Sequence, residues 1–220
     1  MPRRGGRPSR EAASQLEDKI LEVAAHLFFD AGYGAVSVEE IVQRAQISKR
    51  TFYARFPDKA AVFRAVVHRV IQRLRPDAAA TERLFQGARG EEVLRRIAPI
   101  IARASLAPQA LALQRVVVAE AKRFPELALI LHEQGARQEA IQRIAGLLER
   151  IGHEEGRVSM DANFAAEQFM FMLTALPQRR ALGFGTPMNE RELGVWVTNT
   201  LDLFLQGCWR VVPEIKTADF

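Results

Sequence analysis

The chain has 220 residues, of which 48% are hydrophobic and 26% charged, a composition that supports a sizeable folded core and is not typical of a disordered protein. The single cysteine, Cys208, excludes an internal disulfide, and the amino terminus has arginines without the apolar stretch of a signal peptide. The strongly apolar run at residues 169–176 is far shorter than the ~20 residues of a membrane span. These features predict a cytoplasmic protein that does not enter a membrane.

Positive charge is concentrated toward the amino terminus. Residues 1–75 contain 14 of the 31 Lys and Arg residues and 8 of the 26 Asp and Glu residues. Their net charge is therefore +6, which leaves −1 for residues 76–220. Such an asymmetry is typical of a domain that binds a polyanion, although a solvated basic face is the plainer alternative.

Residues 1–13 are predicted to form a disordered basic arm. The first ten residues contain two prolines, two glycines and four arginines, with nothing apolar to anchor them. Arginine-rich arms of helix-turn-helix proteins enter the minor groove, so Arg3, Arg4 and Arg7 are candidate DNA contacts. An ordinary mobile terminus is the alternative interpretation.

A first helix is predicted to follow and to end at Gly32. Ser14 and Glu17 have the spacing of a capping box, and Gly32 is a favourable residue for ending a helix. The apolar residues share one helical stripe: Leu16, Ile20, Val23, Ala24, Leu27, Phe28 and Ala31. This stripe predicts a helix that packs behind the two helices described next.

Residues 37–59 predict two short helices joined by a tight turn. Ser37 and Glu40 form a second capping box, and Ser48 is placed to begin another helix at about residues 49–54. Isolated helices shorter than ~12 residues are marginal, so this one must be held by packing, which Phe52 and Phe56 can supply. The pattern is that of a helix-turn-helix.

Two cations occupy the first turn of the second short helix. Lys49 and Arg50 are unfavourable for the helix dipole there, which favours a polyanion lying opposite them. The second helix of a helix-turn-helix presents its first residues to the major groove. We therefore predict that Lys49 and Arg50 contact base edges, with Thr51 and Tyr53 on the same exposed side.

At these residues the sequence resembles the TetR/AcrR family of bacterial transcriptional regulators. The resemblance covers residues 20–66 and rests on the turn at residues 28–34, the serine at Ser37, the pair Tyr53 and Phe56, and Lys59. It implies that Ser37, Thr51, Tyr53 and Lys59 contact the DNA backbone. The complete predicted DNA-binding set is Arg3, Arg4, Arg7, Ser37, Ser48, Lys49, Arg50, Thr51, Tyr53 and Lys59.

The remaining chain is predicted to be helical throughout, because no useful period-two strand pattern occurs. Helical patterns are expected at residues 91–106, 109–123 and 125–152, with a looser segment at 77–90 and a polar loop at 152–160. The predicted domains are a DNA-binding domain at 14–58, a connecting helix at 59–75, an effector-binding and dimerisation domain at 76–210, and a tail at 211–220. The fold class is therefore all-α, with a three-helix DNA-binding bundle joined to a larger helical domain.

Two long helices near the carboxyl terminus are predicted to form a dimer interface. Asp161 begins a helix whose large apolar residues cover more than one face, and Asn189 with Glu192 forms a capping box for the last helix. A helix that is apolar beyond one face needs a partner on each side, and the resemblance implies pairing with a second copy. The predicted interface residues are Phe164, Met172, Trp196, Leu201 and Phe204.

A ligand pocket is the second hypothesis for the same region. Methionine is adaptable, and small-molecule sites are mostly apolar with a few polar groups. The candidate lining residues are Gln114, His132, Gln168, Phe171 and Met172. The alternatives are that the apolar members belong to the core or dimer face and that the polar members face solvent.

We expect no enzymatic activity, no cofactor and no metal site. The sequence has no nucleophile elbow or P-loop, and the four histidines lack a metal-ligand spacing. A packing role is expected for Cys208, with a redox role left open. The expected function is a homodimeric repressor that binds a palindromic operator and is released by a largely apolar small molecule. The alternatives are an activator of the same fold and a non-enzymatic helical ligand carrier.

Overall fold

The computed structural model describes residues 10–88, 90–133, 136–155, 158–159, 161–207 and 209–210. In chain order the elements are α1 (Arg10–Ala31), α2 (Val38–Ala45), α3 (Lys49–Tyr53), α4 (Lys59–Leu74), α5 (Ala78–Phe85), α6 (Glu91–Ser105), α7 (Pro108–Glu120), α8 (Glu126–Glu133), α9 (Ala136–Glu155), β1 (Val158–Ser159), α10 (Ala162–Ala181), α11 (Glu190–Gly207) and β2 (Trp209–Arg210). The predicted all-α class is confirmed.

The chain divides into two compact units. The first contains residues 1–73 together with residues 112–134, and the second contains residues 74–111 and 135–220. The division falls within α7, so the end of α7 and all of α8 belong to the same unit as the helix-turn-helix. The boundaries of the two compact units therefore differ from the domain boundaries outlined from the sequence.

The first helix begins earlier than its sequence signals indicate. Helix α1 already includes Arg10, so Ser14 lies inside the helix and the predicted capping box with Glu17 is wrong. The predicted end is right, since Gly32 has φ +85° and its N–H bonds the carbonyl of Phe28 at 3.1 Å. Glycine adopts this left-handed conformation at little cost.

The turn between α2 and α3 is built on a residue other than glycine. Gln46 has φ +54°, and Ile47 donates its N–H to the carbonyl of Val42 at 3.1 Å. This hydrogen bond satisfies a carbonyl that the end of α2 leaves without a helical partner. The short helix α3 is held by Phe52 and Phe56, both buried as predicted.

An aromatic cluster forms the centre of the first unit. Phe28, Tyr33 and Phe63 contact one another in pairs, with ring centroids 5.3 to 5.6 Å apart. Phe124, which follows α7, completes the cluster by packing edge-on against Tyr33 at 5.1 Å. Phe63 and Phe124, both distant in sequence, therefore pack against the turn between α1 and α2.

The second unit has its core among α6, α9, α10 and α11. Phe169 of α10 packs against Phe204 of α11 with ring centroids 4.8 Å apart. Trp196 donates its indole N–H to the carbonyl of Leu173 at 3.1 Å, which also links these two helices. Both predicted caps are confirmed: Asp161 accepts N–H groups of α10, and Asn189 and Glu192 bond each other reciprocally.

Three details differ from the sequence prediction. The segment predicted to be loose contains α5, which Asp77 caps by accepting the N–H of Ala80 at 2.6 Å. Helix α9 runs into the predicted polar loop, and β1 pairs with β2 in a two-residue antiparallel ladder. The tail at 211–220 lies outside the described residues.

Within the described part of the chain, no helix is both long enough and apolar enough to cross a membrane. The same residues contain no group of three or more His, Cys, Asp or Glu side chains placed to hold a metal ion.

Candidate nucleic-acid interface

The recognition helix α3 is fixed at its start by two hydroxyl groups. Ser48 accepts the N–H of Thr51 at 3.0 Å, and the two side-chain oxygens of these residues are hydrogen-bonded at 2.8 Å. Ser37 caps α2 in the same way by accepting the N–H of Glu40 at 3.1 Å. Both caps satisfy helix N–H groups that would otherwise lack partners. The predicted caps are confirmed, and DNA contact by these hydroxyls stays a prediction.

The exposed side of α3 carries the predicted base-reading residues. Lys49 and Arg50 are exposed, and Tyr53 is 51% exposed while its ring packs edge-on against Phe52. Tyr53 is thus oriented by the core yet presents part of its ring to solvent. The arrangement suits phosphate contacts by a fixed polar group and base contacts by long cationic chains.

Lys49 is paired with an acidic residue of the preceding helix. Its ammonium forms an ion pair with Glu39, and both side chains remain exposed. The hydrogen bond to Lys49 lowers the pKa of the Glu39 carboxyl, and the same bond raises the pKa of Lys49. Among the described residues Lys49 is thus paired with Glu39, whereas its neighbour Arg50 has no acidic partner within ion-pair distance.

Lys59, the first residue of α4, is bound by the turn between α1 and α2. Its ammonium donates hydrogen bonds to the carbonyls of Tyr33 and Val36, each at 2.8 Å. It also lies 4.2 Å from the centroid of the Tyr33 ring, a cation–π distance. Two of the three ammonium N–H donors are thus used within the protein, and one remains for a phosphate.

Burial perturbs both partners of this contact. Desolvation lowers the pKa of Lys59, with Glu120 acting in the opposite direction. Desolvation, with the nearby carboxylates of Glu126 and Asp58, raises the pKa of Tyr33 to about 12. The Tyr33 hydroxyl therefore stays neutral at physiological pH.

The predicted arm contacts Arg3, Arg4 and Arg7 lie outside the described residues, as does Cys208. The part of the arm that is described, residues 10–13, is helical rather than extended.

The predicted dimer-interface residues separate into two groups. Leu201 and Phe204 are only 3% and 5% exposed, so they belong to the core of the subunit and not to an exposed face. Phe164 is 49% exposed, whereas Met172 and Trp196 are partly buried. Large apolar side chains that the prediction omitted are also exposed on these two helices: Phe171, Leu176, Val195 and Leu203.

The predicted ligand-pocket residues are not contained in one unit. Gln114 and His132 belong to the first unit, and Gln168, Phe171 and Met172 belong to the second. His132 and Gln168 are exposed, and Phe171 is covered on one face by the guanidinium of Arg137 at 4.3 Å. Their role in binding a ligand stays a prediction.

Two acidic residues of the interface were missed by the sequence analysis. Glu39 was not among the predicted site residues, because only the folded turn between α2 and α3 brings it to Lys49, ten residues later. Glu120 lies 86 residues from its hydrogen-bond partner, the N–H of Gly34, at 2.8 Å. No local spacing in the sequence could have indicated that contact.

Two family models match the chain. The model of the amino-terminal region of the bacterial regulatory proteins of the tetR family matches residues 20–66. The model of the carboxyl-terminal domain of AefR-like transcriptional repressors matches residues 92–207, which is more than half of the chain.

Individual proteins agree with these matches. The HTH-type transcriptional regulator EthR of Mycobacterium tuberculosis is 37% identical over 68 residues, 31% of this chain and 32% of that relative. The match thus spans about a third of the curated relative. A TetR-family transcriptional regulator from Mesorhizobium loti has a solved structure with a TM-score of 0.72 and 25% identity, covering 93% of this chain and 100% of that one. The flavonoid-responsive regulator FrrA gives a TM-score of 0.72 with 27% identity, covering 90% and 100%.

The capped helix pair, the exposed cations at the start of α3 and these matches agree with one another, and the chain belongs to the TetR family of DNA-binding transcriptional regulators.

Proposed function

We propose that the chain is a homodimeric transcriptional repressor that acts in the cytoplasm, binds a palindromic operator and is released by a largely apolar small molecule. The observation that carries the proposal is the start of α3, where Arg50 is exposed beside a Lys49 that is already held by Glu39. An exposed guanidinium at the first turn of a recognition helix suits the two acceptors of guanine in the major groove.

Homodimerisation is supported by the exposed apolar side chains of α10 and α11. Phe164, Val195 and Leu203 are each about half exposed or more, which is unfavourable for a subunit that stays alone in water. A two-fold dimer presents two recognition helices, so the operator half-sites should lie a whole number of ~10-base-pair turns apart.

Repression and ligand release are supported by similarity. The matching carboxyl-terminal model is described for AefR-like repressors, and a structural neighbour is described as flavonoid-responsive. A ligand that binds preferentially to the dimer state of lower DNA affinity weakens DNA binding, and DNA then weakens ligand binding by the same factor. Because that neighbour is described as flavonoid-responsive, a planar aromatic compound is a reasonable first probe for this chain.

The test is selection of DNA from a random duplex library by the full-length protein, followed by footprinting on the selected sequence. We expect a palindrome with symmetric guanines, and increased transcription from a promoter carrying it when the gene is deleted. Decreased transcription on deletion would favour the activator alternative. Absence of any salt-dependent DNA binding would favour the ligand carrier.

Release is tested by adding flavonoids to the protein–operator complex. Dissociation at a ligand concentration that leaves a non-specific complex unchanged supports the proposal. Tight ligand binding with unchanged operator affinity would contradict it, because the coupling between the two sites would be zero.

A further inference from the structure

Glu120 lies within the carboxyl-terminal domain by sequence, but its contacts place it in the unit that contains the helix-turn-helix. The carboxyl-terminal family model matches residues 92–207 and so includes Glu120. In the structure, residues 112–134 form one compact unit with the helix-turn-helix. Glu120 is the last residue of α7, a helix that begins in the second unit and ends in the first.

The carboxylate of Glu120 holds the turn between α1 and α2. One oxygen accepts the backbone N–H of Gly34 at 2.8 Å in a partly buried site. A hydrogen bond from a backbone N–H to a carboxylate is stronger than one to a neutral oxygen. The turn leads directly into Ser37, the cap of α2, so the contact fixes where the helix-turn-helix begins.

The Glu120 carboxylate lies close to both glycines of the turn. A Cβ atom on Gly34 would lie 2.9 Å from a Glu120 carboxylate oxygen and 2.9 Å from Cε2 of Phe124. A Cβ atom on Gly32 would lie 2.8 Å from the other carboxylate oxygen. A side chain at either position would therefore require the Glu120 carboxylate to move away from the turn.

The contact is reinforced by aromatic and cationic neighbours on both sides. Phe124 packs edge-on against Tyr33, the residue between the two glycines, at 5.1 Å. Lys59 bonds the Tyr33 carbonyl and lies 5.7 Å from the centroid of the Phe124 ring. The turn is thus held by the Lys59 ammonium of α4 and, from the end of α7, by the Glu120 carboxylate and the Phe124 ring.

We propose that Glu120 is a positioning residue for DNA binding, which sets the placement of α2 and α3 through the Gly34 N–H without touching DNA. Specific binding requires α3 to lie in a defined register on base edges, whereas non-specific binding requires only positive charge near phosphates. Loosening the turn should therefore weaken binding to a selected sequence more than binding to an unrelated duplex.

The first test measures amide hydrogen exchange and needs no DNA, so its result is independent of the proposed operator. In the full-length Glu120→Ala variant, we expect the amides of residues 34–56 to exchange at least about tenfold faster, because a partly buried hydrogen bond to a charged group is lost. The amides of α10 and α11 should keep their wild-type rates. Glu120→Gln retains an acceptor oxygen and should give a smaller acceleration.

The matched control is Glu133→Gln, which removes a carboxylate from the same segment and breaks its ion pair with Arg64. That pair is exposed, so the exchange rates of residues 34–56 should remain within twofold of the wild type. If Glu133→Gln accelerated exchange as much as Glu120→Ala, the proposal would be overturned, since any carboxylate of the segment would then serve.

The second test uses the duplex selected by the wild-type protein and an unrelated duplex of equal length at fixed salt. Glu120→Ala should lose at least about tenfold in affinity for the selected duplex and much less for the unrelated one. Equal losses on both duplexes, or exchange rates within twofold of the wild type, would overturn the proposal. If Glu120→Ala fails to fold, the exchange rates of Glu120→Gln decide the question. Faster amide exchange confined to residues 34–56 supports the positioning role of Glu120. Faster exchange throughout the protein, or unchanged exchange, overturns it.

Discussion

Lys59 and Val36 are joined by a hydrogen bond in which the lysine ammonium donates to the valine carbonyl at 2.8 Å. The bond connects the first residue of α4 to the residue before the Ser37 cap, and a second bond reaches the Tyr33 carbonyl. Lys59 therefore supports the helix-turn-helix from inside the protein, in addition to the DNA contact expected of it.

Lys59→Met tests the two roles together. The methionine keeps the aliphatic stem but loses two charge-assisted hydrogen bonds, so the free energy of unfolding should fall by about 1–3 kcal/mol. If the third N–H contacts a phosphate, the slope of log affinity against log salt should also decrease by about 1. Urea unfolding and a salt series of binding measurements give both values.

Exposed Lys122 offers the matched control, because Lys122→Met removes the same charge from the same unit. It should change stability by less than about 0.5 kcal/mol. A Lys59→Met protein that is destabilised but has an unchanged salt slope would show that Lys59 holds the turn without contacting DNA.

Tyr33 provides a pH-dependent readout of the same turn. Burial raises its pKa from 10.0 to about 12, so its neutral form is stabilised in the folded protein. This contribution is fully present below pH 10 and is lost as pH rises toward 12, because the unfolded chain releases the proton first.

The Tyr53→Phe variant isolates Tyr33, since the chain has only two tyrosines. Absorbance at the tyrosinate band should rise with a midpoint near pH 12 in the folded protein and near pH 10 in denaturant. A midpoint near pH 10 for protein that circular dichroism shows to be folded would contradict the burial of this hydroxyl.

Glu39 is expected to limit non-specific DNA binding. Glu39→Gln frees Lys49 from its ion pair, so affinity for any duplex should rise and the salt slope should steepen by about 1. Glu40→Gln, in the same first turn, removes an equal charge that is not paired with Lys49 and should have the smaller effect. Equal effects of the two variants would mean that only net charge matters.

Arg50 is expected to contact a base. Arg50→Ala should cost ~1–3 kcal/mol on the selected operator and relax the preference at one position per half-site. Arg50→Lys should rescue only partly, because the planar fork that matches guanine is lost. Binding to operators with single-base changes measures this, and a uniform loss on every sequence would reassign Arg50 to a phosphate.

The dimer face is tested by a pair of adjacent residues with opposite burial. Leu203 is 64% exposed and Phe204 is 5% exposed, so Leu203→Glu should give a folded monomer and Phe204→Glu an unfolded or insoluble protein. Light scattering at micromolar concentration measures the assembly. Gln72→Glu, a substitution in the first unit, is the control and should remain dimeric. A Leu203→Glu protein that also remains dimeric would place the interface elsewhere.

The sequence by itself determined the helical class and the recognition unit, because both depend on interactions over three or four residues. Ser37 with Glu40, and Ser48 with Thr51, are local pairs whose spacing specifies where α2 and α3 begin. The exposure of Lys49 and Arg50 likewise follows from the burial of Phe52 in the same short helix.

The tertiary structure alone decided which distant residues support that unit and which apolar residues remain exposed. The contact of Glu120 with Gly34 closes a loop of 86 residues, and α7 contributes to two compact units, neither of which periodicity can indicate. Leu201 and Phe204 share the apolar character of Leu203, yet α6 and α10 bury the first two and leave the third in solvent. The choice depends on how neighbouring helices pack around α11, a property of the assembled core and not of the α11 sequence.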